Sequence, residues 1–232
     1  MKILVLADIH GAADMLADAR ALISAADVTV LAGDITRSGS AGEARSLLAL
    51  IEPHAKALVG VHGNWDSEGV RALFEEKGIS LHARARVIDG VGFFGAGGST
   101  VTPMHTRVEY AEDQIAAFLA QGYGMLAGAA RTVLVSHTPP HRVRDRTFLG
   151  IRAGSRSVRD FLSMHRVDLC LCGHIHEAGG VETLGETIVA NPGSFKKGKY
   201  LSVETGGPIS VERGRLRRPF RLFGKGGHAP DG

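Results

Sequence analysis

Five short apolar runs in this chain each end in a polar side chain capable of holding a metal ion. Ile3–Leu6 leads to Asp8 and His10, Val28–Ala32 to Asp34, and Ala57–Val61 to Asn64; Thr132–Val135 leads to His137, and Val167–Cys172 to His174 and His176. Unbroken apolar runs fit strands buried on both faces. Met1–Ala7 predicts the first strand, and the alanine-rich, leucine-spaced stretch Ala12–Ala25 predicts a helix. The same alternation follows twice more. Val28–Ala32 precedes a turn at Ser38-Gly39-Ser40 and a helix over 42–51 that Pro53 closes. Ala55–Val61 precedes a helix over Val70–Lys77 capped by Gly78. Strands alternating with helices predict a parallel sheet whose ligands lie beyond the carboxyl ends of the strands, where Asp8, Asp34 and Asn64 fall.

The middle of the chain changes character. Arg86–Gly98 predicts a hairpin that starts a second sheet or extends the first. Gly97-Gly98-Ser99-Thr100 opens a loop through Pro103, His105 and Arg107, followed by a helix over 109–120 and a short second one reaching Ala130. A strand over Thr132–Ser136 delivers His137, and Pro139-Pro140 starts a long loop to about Gly154. A helix over Ser155–His165, with Ser155 as N-cap, leads to the strand Val167–Cys172. Short strands are expected at Gly180–Leu184, Thr187–Ala190, Lys199–Glu204 and Ile209–Glu212.

Composition narrows the class. With 232 residues, 44% hydrophobic and 22% charged, the chain can bury a sizeable core, read as one domain over 1–212 followed by a basic tail over 213–232. Cys170 and Cys172 alternate on one expected strand and face the same side, which suits a reduced core pair and a cytoplasmic setting. The apolar start is too short for a signal or membrane segment. A net charge of +3 and a pI near 9.0 favour anionic ligands without arguing nucleic acid. The tail interleaves Arg213, Arg215, Arg217, Arg218, Arg221 and Lys225 with Leu216, Phe220, Leu222 and Phe223. That pattern keeps nucleic acid or a homo-oligomeric contact open, but a short basic run is more often solvated.

Asp8, His10, Asp34, Asn64, His137, His174 and His176 are too many ligands for one tetrahedral ion and suit two divalent ions. Asp34 is the natural bridge, since one carboxylate can contact ions about 3.5–4 Å apart. Two such ions against two carboxylates leave an excess of about two positive charges, which calls for an anionic substrate and would acidify a bridging water to a hydroxide for in-line attack on phosphorus. Carboxylate, amide and imidazole without thiolate admit Mn²⁺, Fe, Zn²⁺ or Ni²⁺, with Mn²⁺ preferred here.

In order, Asp8-x-His10, Gly33-Asp34, Gly63-Asn64, Ser136-His137 and Gly173-His174-Ile175-His176 resemble the five signature blocks of calcineurin-like metallophosphoesterases, spanning residues 8–176. Further stretches, among them His137-Thr138-Pro139-Pro140 and Asn191-Pro192-Gly193-Ser194, resemble a small prokaryotic branch of predicted phosphoesterases. The resemblance implies an α/β fold, a four-layer α-β-β-α sandwich of two mixed sheets flanked by helices. It also implies one ion on Asp8, His10, Asp34 and His176 and a second on Asp34, Asn64, His137 and His174, with Asp34, Asn64 and His10 serving catalysis.

One departure stands out. The family places a histidine after the asparagine, whereas this chain has Trp65, followed by Asp66, which would ordinarily orient that histidine. An indole can donate a hydrogen bond or stack on a ring but cannot act as a general acid. The expected substrate is therefore a small-molecule phosphodiester with a good leaving group; a phosphomonoester, a nuclease role and a non-catalytic metal-binding scaffold are the alternatives. The complete ligand set argues against the scaffold. Trp65, His105, Arg107 and His141, with Arg142 and Arg144 beside the last, are candidate substrate contacts, His62 is read as structural, and Asn191 as support for a turn.

Overall fold

In the computed structural model, residues 1–216 are described. The tail residues Arg217, Arg218, Phe220, Arg221, Leu222, Phe223 and Lys225 lie outside them.

The first half builds one sheet. Strands β1 (Lys2–Leu6), β2 (Val28–Ala32) and β3 (Leu58–Val61) are parallel neighbours, connected through helices α1 (Ala13–Asp18), α2 (Arg20–Ala25) and α3 (Ala41–Ile51), and β3 is followed by α4 (Glu68–Glu76). Strands β4 (Ala85–Ile88) and β5 (Val91–Ala96) form the expected hairpin at the edge of a second sheet. After the short pair β6 (Ser99–Thr100) and β7 (Glu109–Tyr110) come helix α5 (Glu112–Gly124), strand β8 (Arg131–Ser136), helix α6 (Arg156–Met164) and strand β9 (Leu169–Cys172). Strands β10 (Gly180–Leu184) and β11 (Thr187–Asn191) complete the second sheet in the order β10-β11-β9-β8-β5-β4. Strands β12 (Lys199–Glu204) and β13 (Ser210–Arg215) return to the first, whose order is β13-β12-β1-β2-β3.

The period-two alternation of each strand makes the layers. Ile3 and Val5 of β1, Val28 and Val30 of β2, and Val59 and Val61 of β3 face Phe93, Val133, Val135, Leu169 and Leu171 of the other sheet. The intervening Leu4, Leu6 and Leu31 point outward onto Leu16, Ile23, Leu48 and Phe74 of the first helical layer. Phe94, Leu134, Cys170 and Cys172 meet Ile115, Leu119, Val158 and Phe161 of the second. Both cysteines are free and buried, and burial pushes the Cys170 thiol up to about 12. The result is the expected α-β-β-α sandwich of two mixed sheets. No helix among the described residues is long and apolar enough to cross a membrane.

Four expectations about elements are corrected. The helix expected over Ala12–Ala25 is two helices divided at Ala19, whose N–H is shared between the Met15 and Leu16 carbonyls at 3.0 and 3.1 Å. Both halves bury one face, so the apolar spacing runs through the break. Glu109 does not start a helix: it lies in β7, and its carboxylate is engaged by Thr102 and Thr106. The second helix expected up to Ala130 is absent, and Gly128 there has φ +73°. Strand β13 continues past the expected boundary at 212, because its pairing with β12 extends to Lys199 opposite Arg215.

Candidate metal centre

All seven expected ligands sit at the carboxyl ends of strands, on the seam where the two sheets meet. The first sheet supplies Asp8 and His10 after β1, Asp34 after β2 and Asn64 after β3; the second supplies His137 after β8 and His174 and His176 after β9. Asp8, Asp34, Asn64 and His137 are buried.

The turns that present them are conformationally demanding. Four of the seven have left-handed backbones: Asp8 at φ +55°, His10 at +44°, Asp34 at +51° and His174 at +66°. Each such non-glycine residue costs about 1 kcal/mol or more, a cost the surroundings must offset. Cross-links between the turns do so: Asp8 N–H donates to the Gly33 carbonyl (3.1 Å), His10 N–H to the Asp34 carbonyl (2.9 Å) and His174 N–H to Asp8 Oδ1 (3.2 Å). The turn after β9 therefore places the positive φ at His174, whereas Gly173 serves close approach, since a Cβ there would crowd Ala7 and the Ala32 carbonyl. At Gly63 a Cβ would overlap the Asp34 carboxylate.

The donor atoms converge in two groups. One oxygen or nitrogen from each of Asp8, His10 and His176 lies within 4.8 Å of the others, and so does one from each of Asp8, Asp34 and His137. His10 Nε2 and His176 Nε2 are 3.2 Å apart, His176 Nε2 is 3.3 Å from Asp8 Oδ1, and Asp34 Oδ2 lies 3.8 Å from His10 Nε2 and 3.5 Å from His137 Nε2. His137 Nε2 also faces Asn64 Oδ1 at 2.9 Å, and its Nδ1 donates to the Ala32 carbonyl at 2.8 Å. His174 joins neither triad; its ring packs edge-on to His137, with centroids 5.1 Å apart.

Electrostatics show what the cluster calls for. Burial alone would depress His137, yet the Asp34 carboxylate outweighs it and raises the imidazole to about 9. Burial would raise Asp34, but the His137 charge and hydrogen bond hold it below the usual carboxylate range. Burial, reinforced by the His137 charge, takes His174 down to about 4. Among the described residues no hydrogen-bond donor reaches the buried Asp8 Oδ2. An orphaned carboxylate oxygen, two facing imidazole nitrogens and an imidazole charged by its neighbours make a site short of positive charge. Oxygen and imidazole donors of this kind fit divalent ions.

The surroundings divide into supports and rim. Asp66 is buried and accepts from Thr36 Oγ1 (2.6 Å) and from the Gly63, Thr36 and Ile35 N–H groups (2.9, 3.0 and 3.3 Å), so it ties the turn of Asp34 to that of Asn64. Asn191 Nδ2 donates to the Gly173 and Ile175 carbonyls at 3.1 Å each, bracing the turn that carries His174 and His176. Ser194 Oγ donates to the Asp8 carbonyl at 3.0 Å. Trp65 is half-buried, but the indole N–H considered for a substrate is already donated to the Arg37 carbonyl (2.8 Å), and the Arg107 guanidinium lies 4.9 Å from the ring centroid. Arg107 also donates to the Trp65 carbonyl at 3.1 Å. His141 Nδ1 is 3.5 Å from the buried Asp145 carboxylate, which also accepts from the Arg142 N–H, and His105 is exposed in a tight turn. His62 is buried beneath Tyr110 and His82, as its structural reading requires. Thr106 and Glu109 escaped the sequence reading: Thr106 Oγ1 accepts from Asn64 Nδ2 at 2.9 Å, and Thr-x-x-Glu spacing was the available signal.

Known proteins agree with this architecture. The fold is similar to that of TT1561 from Thermus thermophilus, with a TM-score of 0.74, 19% identity and coverage of 93% of this chain and 99% of that one. It is also similar to a dimetal phosphatase from Danio rerio, with a TM-score of 0.65, 15% identity and coverage of 93% and 96%. In sequence the chain is 33% identical over 201 residues to the uncharacterized protein MJ1162 of Methanocaldococcus jannaschii, covering 83% of this chain and 88% of that protein. Residues 1–178, which hold all seven expected ligands, match the family model described as calcineurin-like phosphoesterase, and the chain belongs to that family of phosphate-ester hydrolases.

Proposed function

We propose that the chain is a two-metal phosphodiesterase acting on a small-molecule ester with a good leaving group. The observation that carries this reading is the convergence of donors from Asp8, His10, Asp34, His137 and His176, with Asp8 Oδ2 among them lacking a hydrogen-bond partner among the described residues. Asp8, His10, Asp34 and His176 would hold one ion, and Asp34, Asn64, His137 and His174 the other, with Asp34 as the bridge. Two bound divalent ions would supply an acidified water and neutralise charge on the phosphoryl group.

The chain's own groups set the rest. The buried Asp8 and Asp34 carboxylates and the glycine-backed turns hold the donors rigidly, which favours a preorganised centre. His10 is partly open to solvent and lies beside Asp34, so it is placed to meet substrate as well as metal. At the position where the family has a proton donor, Trp65 is fixed by the Arg37 carbonyl and offers none, which is why good leaving groups are favoured. Arg107, held over Trp65, brings a fixed cation to the rim and supports a second reading in which a phosphomonoester dianion is taken instead.

The test is turnover of bis(p-nitrophenyl) phosphate and p-nitrophenyl phosphate by metal-free protein reloaded with Mn²⁺, beside Asp34→Asn and His137→Ala. Metal-dependent diester turnover that collapses in both variants supports the proposal. A clear monoester preference favours the second reading, and two bound ions without turnover of either ester would overturn both.

A further inference from the structure

We propose that Thr106 and Glu109 are positioning residues that fix the flip of the Asn64 amide, so that its carbonyl oxygen, and not its NH2, is turned to the metal centre. The proposal rests on the two-metal reading above.

An asparagine amide has nearly the same shape in either flip, yet one flip offers a ligand oxygen and the other a donor that repels a cation. His137 cannot hold the choice once it serves as a ligand. Its Nε2 lies 2.9 Å from Asn64 Oδ1 and donates there in the metal-free protein, but as a metal ligand that nitrogen would carry a lone pair and no longer orient the amide. A threonine hydroxyl alone would not decide either, since it can both donate and accept. Here the proton of Thr106 is committed: Oγ1 donates to Glu109 Oε1 at 2.5 Å. Glu109 has no proton to return. Partial burial favours its neutral form, but hydrogen bonds from the hydroxyls and N–H groups of Thr106 and Thr102 outweigh that and bring the carboxyl down to about 2. Thr106 therefore presents only lone pairs to Asn64, and only Nδ2 can satisfy them, at 2.9 Å. With Nδ2 so engaged, Oδ1 must point the other way, toward His137.

The backbone holds this chain of bonds in place. Val108 N–H donates to the Asn64 carbonyl at 3.2 Å, and Ser99 N–H donates to the Val108 carbonyl at 3.2 Å. The loop from β6 to β7 is thus fastened to the very residue whose side chain it orients. Glu109 closes the loop by also accepting from Thr102 N–H (3.1 Å) and Thr106 N–H (2.6 Å).

The experiment is titration calorimetry of Mn²⁺ into metal-free protein for the parent chain, Thr106→Val, Thr106→Ser, Asn64→Asp, and Thr106→Val combined with Asn64→Asp. The parent is expected to take two ions. Thr106→Val should leave one of them unchanged and weaken the other by about 10–100-fold, the range usual for loss of a residue that orients a metal ligand. Thr106→Ser should restore parental affinity. Asn64→Asp offers an oxygen in either flip, so adding Thr106→Val to it should cost nothing. Thermal melts of the metal-free proteins confirm that each variant is folded. Parental affinity in Thr106→Val overturns the proposal, as does a loss that persists in the Asn64→Asp background, which would mean that Thr106 acts only on loop structure. A parent that binds fewer than two ions overturns the two-metal reading itself, and the proposal with it.

Discussion

Removing Asp66 should show how far the metal centre depends on a residue that never faces it. The carboxylate is fully buried and accepts four hydrogen bonds, from Thr36 Oγ1 and from the N–H groups of Gly63, Thr36 and Ile35. In Asp66→Ala the hydroxyl of Thr36 can rotate away, but three backbone N–H groups lose their acceptor. A buried donor left unsatisfied costs about 1–3 kcal/mol, so the gross loss is about 3–9 kcal/mol. Part of this is recovered, because burial and the nearby Asp34 charge push the Asp66 carboxyl up and make its ionised form costly. The net expectation is a destabilisation of about 3 kcal/mol, and about 1 kcal/mol for Asp66→Asn, whose remaining oxygen can serve two donors and whose NH2 can donate to a rotated Thr36 hydroxyl. Urea unfolding of the metal-free proteins measures this without a contribution from bound ions. Calorimetry with Mn²⁺ should then show weaker binding in Asp66→Ala, because the turns of Asp34 and Asn64 are no longer tied together. An alanine variant within about 0.5 kcal/mol of the parent would refute the clamp.

Three shorter predictions accompany it. Gly63→Ala puts a Cβ into the Asp34 carboxylate, so calorimetry should find Mn²⁺ binding lost although circular dichroism still reports a folded chain. His82 is buried, accepts from the Gly97 N–H through Nδ1 (3.0 Å), and is lowered to about 4, first by burial and then by the Arg71 charge. The unfolded chain therefore binds the extra proton between about pH 6.5 and 4, and His82 should contribute a loss of about 3 kcal/mol as pH drops through that window; the fall should be smaller by that share in His82→Gln, the buried His174 and His62 keeping theirs, when urea midpoints are followed against pH. Trp65→His should raise turnover of diesters with alkyl leaving groups relative to aryl ones by about 100-fold, the lower end of general-acid contributions, and an unchanged ratio would show that leaving-group protonation is not what this position controls.

The strand-end positions of the seven expected ligands were legible because each follows a run of apolar residues that has to be a buried strand, and a strand end in such a sheet is where ligands collect. The layers were legible for the same reason. What the sequence hid were partners defined by backbone. The Arg37 carbonyl that takes the Trp65 indole proton leaves no signature in the chain, nor do the N–H groups that converge on Asp66. Thr106 drew no reading from the sequence and Glu109 fell at the expected start of a helix, whereas here the glutamate turns back onto its own loop. The break at Ala19 was invisible because Met15, Leu16 and Ile23 are buried on both sides of it.

The position of the centre explains why so much of its support is buried polar structure. Four of the expected ligands come from the first sheet and three from the second, and the two sheets are joined at this end by bonds that cross the seam: His137 Nδ1 to the Ala32 carbonyl at 2.8 Å and His174 N–H to Asp8 Oδ1 at 3.2 Å. The apolar interface of Val5, Val30, Val61, Val135 and Leu171 brings the sheets together but is non-directional, so it cannot by itself fix side chains to within a fraction of an ångström. Directionality has to come from hydrogen bonds. At this end of the sandwich they are supplied by Asp66 between two turns of the first sheet, by Asn191 under the last turn of the second, and by Ser194 back to Asp8. The left-handed backbones at Asp8, His10, Asp34 and His174 persist because these bonds over-determine them. The same packing that hides the carboxylates from water leaves Asp8 Oδ2 with no donor among the described residues and His137 with a raised affinity for a proton. A cluster assembled at that cost in strain and unpaired charge makes physical sense as a binding site for cations, set at an end of the sandwich where both sheets contribute strand ends.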